Sequence, residues 1–95
     1  MTVTANSLLL ALKYDEAEEE TIEMFLDGAI AFLENAGMYH PNNRLTDVVI
    51  TQMVGFWMEH REVTYKDYKT VGDFPIGMQA LLNQLKYLPV GDVNA

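Results

Sequence analysis

The stretch AEEETIEMFLDGAIAFLENA, residues 17–36, decides how the rest of the chain is read. Ile22, Phe25, Leu26, Ala29, Ile30, Leu33 and Ala36 recur at 3.6-residue spacing and predict the apolar side of one long helix. Glu16, Glu20, Glu23, Asp27 and Glu34 form a stripe on another side, with no basic residue along it to compensate. Like charges three and four residues apart cost a few tenths of a kcal/mol per pair. The plain reading of the stripe is a solvated helix face. The sharper one is a surface that repels or steers a charged partner. Asp15 stands where a capping carboxylate would accept the orphan N–H of Glu18, and the glutamates after it suit the positive end of the helix dipole. Gly37 stands just past the last periodic residue, where a glycine ends a helix in the left-handed conformation. Gly28, inside the helix, costs about 1 kcal/mol against Ala. Close approach by a neighbouring helix would account for it, with Gly55 as the expected counterpart.

Upstream, Thr4 is a cap for a short element reaching Lys13. Its run Leu8, Leu9, Leu10 and Leu12 is too short for period to separate helix from strand, but leucine favours helix. Downstream, His40, Pro41, Asn42 and Asn43 are turn formers in a 38–44 loop. A third element starts at Leu45 or Thr46, carries Asp47 in its first turn and reaches about Glu62. Val48, Val49, Gln52, Met53, Phe56, Trp57 and His60 trace its expected packing stripe. The segment VTYKDYKTVGDF, residues 63–74, reads either as a short strand pair around Lys66-Asp67 or as a long irregular loop. Its tyrosines would suit an interface. Pro75 fits the first turn of a last helix, with Asp73 or Phe74 near the cap. Met78, Leu81, Leu82 and Leu85 supply its packing face, and Pro89 stops it. Residues 87–95 read as a flexible or partner-bound tail. The predicted fold is all-α, a small bundle of about four helices, two long and two short, in one domain spanning residues 1–95.

Composition bounds what such a domain does. The chain has 95 residues, 49% of them hydrophobic and 21% charged, with a formal net charge of −8. Eight acids and one Lys lie in residues 1–36, so that part carries −7 of the total. Nucleic-acid recognition needs clustered Lys and Arg, and the six basic residues here are scattered. A domain this short has little interior, so part of its apolar content is expected to face a partner. The chain has no cysteine, which removes disulfides, thiol chemistry and Cys-based metal sites. No apolar run is long enough to span a membrane.

No phosphate-binding glycine loop, HExxH or nucleophile motif is present. His40 and His60 lie twenty positions apart in a loop and at a helix end, too few and too separated for tetrahedral zinc. The carboxylates fall on solvent-facing positions, whereas catalytic pairs need burial and a cleft. No catalytic, cofactor-binding or metal-binding residue is therefore assigned, and the expected activity is protein binding rather than catalysis. In the FWMEHRE end of the third helix, Phe56 and Trp57 read as core or interface anchors. Arg61 reads either as a surface residue or as an ion-pair link to the 17–36 helix.

Three stretches in order carry a family resemblance: LLLALKYDEAEEETIEMFLDGAIAFLENAG, VVITQMVGFWMEHRE and FPIGMQALLNQLK. Together they resemble the head–tail connector family of tailed bacteriophages and prophages, the portal adaptors, over roughly Leu8 to Lys86. The likeness rests on a leucine-containing helix, an acidic run and a long helix. It continues with an aromatic and polar helix end at Trp57, Glu59, His60, Arg61 and Glu62. A Pro-x-Gly start at Pro75 and Gly77 then precedes Leu81, Leu82 and Leu85. The chain departs from the family in having only Lys13 after the first leucine run and Phe56-Trp57-Met58 where an aliphatic–Tyr pair is common. The resemblance implies a structural virion protein at the head–tail junction, present in the host cytoplasm during assembly. It implies a homo-oligomeric ring of about twelve copies between the portal and a tail or stopper protein. Such a ring extends the channel through which double-stranded DNA passes without sequence-specific binding, and the acidic stripe would suit its lining. No membrane and no cofactor is implied. The alternative is a small acidic helical regulator or inhibitor that binds another protein, with mimicry of nucleic acid as one form of that role.

Overall fold

A computed structural model of the chain describes residues 3–60 and 71–88. They form four α-helices: α1 (Ala5–Leu12), α2 (Glu19–Asn35), α3 (Arg44–Glu59) and α4 (Ile76–Lys86). The all-α bundle of two longer and two shorter helices is as the sequence predicts. α2 packs on α3, α1 on α2, and α4 on α3.

Local chemistry sets most helix ends. Thr4 Oγ1 accepts from the Ser7 N–H at 3.1 Å, and Ser7 Oγ accepts from the Thr4 N–H at 3.0 Å. This reciprocal pair satisfies two orphan donors at the start of α1. α1 ends at Lys13, which takes the left-handed conformation at φ +63° while the Tyr14 N–H returns to Leu9 O. Asp15 caps as expected, but its Oδ1 accepts from Ala17 rather than Glu18. The result is a 3₁₀ turn over Glu16–Glu18, and α2 starts at Glu19, two residues later than the periodicity places it. α2 ends at Gly37, φ +71°, with Met38 N–H bonded to Leu33 O and Gly37 N–H to Glu34 O. That six-to-one and five-to-two pairing is a Schellman ending, and buried Met38 and Leu33 complete it.

α3 starts one residue earlier than the sequence reading because Asn43 is its cap, not simply a turn former. Asn43 Oδ1 accepts from the N–H of Leu45 at 2.8 Å and of Thr46 at 3.4 Å. α3 ends at Glu59 rather than Glu62. His60 takes a non-helical backbone (φ −126°), and its Nδ1 lies 2.9 Å from Phe56 O. At α4, Pro75 occupies the cap position itself, one residue before the first helical turn. The Gln79 N–H bonds to Pro75 O, and Gln79 Nε2 donates to Phe74 O at 2.6 Å.

The core sits where α2, α3 and α4 meet. Ile22, Phe25, Leu26, Ala29, Phe32 and Leu33 are buried on α2. Phe32 joins the expected set, while Ile30 is half-buried and Ala36 exposed. α3 buries Thr46, Val49, Ile50, Met53, Val54, Trp57 and Met58. This corrects the expected stripe: Val48 and Gln52 are exposed, Phe56 and His60 are half-buried, and Ile50, Val54 and Met58 take the interior. α3 has neighbours on several sides, so its buried surface is wider than one stripe.

The irregular segment predicted for 63–74 does not extend to its end. Val71–Asp73 is a 3₁₀ turn, and Phe74 is buried. Phe74 meets Phe32 edge-on at 5.3 Å between centroids and lies 6.0 Å from Trp57. Trp57 in turn lies 5.9 Å from Phe25. Edge-to-face and tilted aromatic pairs at these separations add about 0.5–1.5 kcal/mol each beyond area burial. The readings made for Arg61, for 63–70 and for 89–95 fall outside the described residues.

Candidate docking surface

The acidic stripe is built as expected: Glu16, Glu20, Glu23, Asp27 and Glu34 are all exposed. Met24 is 46% exposed on the same helix. The stripe lies opposite the buried side of α2 because the helix turns its apolar positions toward α1 and α3.

Gly55 does not pair with Gly28. A Cβ on Gly55 would lie 3.2 Å from Leu12 Cδ2, so the glycine makes room for α1 instead. That close approach shapes two open grooves. One, of about 430 Å³, runs between α1 and α3 and is lined by Val3, Ser7, Leu8, Ala11, Asp47, Val48, Thr51 and Gln52. The other, of about 420 Å³, is bounded by Leu12, Gly55, Phe56, Glu59, Pro75 and Met78, and shares Thr51 and Gln52. The shared residues place the grooves side by side along α3. Both volumes fall within the range of small binding clefts.

Asp47 is the charged residue of the first groove. Burial pushes its carboxyl above the ordinary aspartate value, since charge is costly away from water, and the pull of the chain's amino terminus offsets only part of this. Val48 beside it is 46% exposed. Other large apolar residues also face outward: Leu10 is 77% exposed, Ile76 84% and Tyr87 76%. The Lys86 Nζ lies 5.6 Å from the centre of the Tyr87 ring, a cation–π distance.

The two histidines do not meet in a site. The His60 ring stacks on Phe56, centroids 4.4 Å apart at 30°, and its Nδ1 serves the Phe56 carbonyl. His40 is half-buried with Nε2 inside and without a hydrogen-bond partner. Among the described residues no three His, Asp or Glu side chains cluster as metal ligands, and no helix is long and apolar enough to cross a membrane.

The acidic stripe is legible in the sequence and the grooves are not. The spacing places Val48 in the packing stripe, which hides its place on the first groove. A signal was available: Asp47 precedes Val48 and Gln52 follows one turn later, which marks a water-facing edge.

Fold and surface together define a class, a small four-helix domain with an acidic face and open apolar grooves. No family model, no curated protein and no solved structure matches the chain.

Proposed function

We propose that this chain is a structural subunit of a tailed-phage head–tail junction. Copies associate head-to-tail into a ring that joins the portal to the tail or stopper and extends the DNA channel. The observation that carries this reading is the division of the surface. One face of α2 is acidic and exposed, and grooves with apolar floors open along α3. A ring subunit needs both features: apolar surface for its neighbours and a channel wall that does not hold DNA phosphates. The order of a short helix, an acidic turn and long helix, an aromatic helix end and a Pro-started last helix is the order that the family resemblance implies.

Sedimentation of the purified chain across concentration, with electron microscopy of the largest species, tests this reading. The expected result is a closed ring of about a dozen copies with the Glu20–Asp27 side of α2 toward its hole. A species that stays monomeric and binds a basic DNA-binding protein tightly would favour the acidic regulator instead. The neighbouring genes give a second check, since portal and capsid genes are expected beside this one.

A further inference from the structure

The groove between α1 and α3 has a complement on the same chain. Its floor is apolar, from Leu8, Ala11 and Val48, and its one charged group is the Asp47 carboxylate. At the last turn of α4, Lys86 and Tyr87 project together, Tyr87 76% exposed and the ammonium 5.6 Å from its ring centre. An aromatic ring next to a cation is the side-chain chemistry that an apolar groove with a carboxylate accepts best. Tyr87 is not among the residues lining the groove of its own chain.

We propose that the Lys86–Tyr87 corner of one copy docks in the α1–α3 groove of the next, with the Tyr87 ring against Val48 and Ala11 and the Lys86 ammonium at Asp47. The inference rests on the ring reading and deepens it by naming the contact between neighbours. Knob and groove are different surfaces, so the contact is heterologous and repeats from copy to copy. The Lys86 ammonium adds a cation at the Asp47 carboxylate, and the exposed Val48 and Tyr87 lose their contact with water. Bases are scarce on this chain, six against fourteen acids, so few side chains can answer the Asp47 carboxylate.

Charge exchange tests the pairing. D47K and K86E, each alone, put like charges together at every contact and are expected to weaken self-association by about tenfold or more. An equimolar mixture of the two variants restores opposite charges at every contact in an alternating assembly, and association is expected to return. Misfolding of either variant could not give that recovery, and melting curves of each provide a further control. Disulfide trapping supplies a second readout, because the chain has no cysteine of its own. The double variant V48C/Y87C is expected to give a ladder of linked chains under mild oxidation, whereas each single variant stops at the dimer. If the wild type forms rings while the ladder is absent and D47K and K86E assemble normally, this contact is wrong and the ring reading stands. If the wild type stays monomeric and no ladder forms, both fall.

Discussion

Leu12 lies directly over Gly55, its Cδ2 3.2 Å from the place a Cβ would occupy. The last residue of α1 therefore seats against the second half of α3 through a missing side chain. A Leu side chain at Gly55 is expected to push α1 away and lower stability by about 1–3 kcal/mol, the usual cost of overpacking. The double variant G55L/L12A is expected to recover part of that loss. Urea denaturation of the two single variants and the double variant gives the coupling, and strict additivity would mean that the two residues do not meet.

Lys13 pays a backbone cost that glycine would not. Its φ of +63° is the left-handed conformation, disfavoured for a side chain with a Cβ by about 1–2 kcal/mol. K13G is expected to stabilise the domain by about 1 kcal/mol, or roughly 4–8 °C in melting temperature. A lower melting temperature in K13G would show that the Lys13 side chain does more than end the helix.

Asn43 holds the start of α3 from a buried position, 1% exposed. N43A is expected to cost about 1–2 kcal/mol through loss of the cap. N43S keeps an accepting side-chain oxygen at the cap without placing a charge in the interior, so it is expected to lose less. Thermal melts of both variants decide the order, and equal losses would remove the cap from the explanation.

Asp47 gives stability a pH dependence of definite sign. Its folded pKa is raised by burial, so the folded chain takes up this proton at a higher pH than the unfolded chain. Above the folded pKa the carboxylate is charged in both states, and the fold carries the full desolvation cost. That cost is relieved as pH falls through the folded pKa toward the ordinary value. D47N is therefore expected to exceed the wild type in stability most at neutral pH, with the advantage shrinking through the carboxylate range. Denaturation at a series of pH values checks it, and an advantage that grows on acidification would reverse the assignment.

Local rules that act within a few residues were legible in the sequence. Thr4, Asp15 and Gly37 each do the end-of-helix work their types suggest, and the acidic stripe of α2 is where the spacing puts it. The buried face of α3 was not legible. Val48, Val49, Ile50, Met53, Val54, Phe56, Trp57 and Met58 surround the helix so fully that period alone selects no single side. Contacts made by α1, α2 and α4 choose it, and they come from distant parts of the chain. The burial of Phe74 is not legible for a related reason, because its neighbours Phe32 and Trp57 lie far away in sequence. The grooves depend on how α1 sits against α3, a relationship that the Leu12–Gly55 contact fixes and no motif announces.

The chain is pinned on both sides of residues 61–70. His60 is bonded to its own helix through Phe56, and Phe74 is locked among Phe32, Phe56 and Trp57. Phe56 touches both anchors, 4.4 Å from the His60 ring and 6.5 Å from Phe74 between centroids. A single side chain thus ties the close of α3 to the approach of α4, and damage at Phe56 is felt by both helices at once.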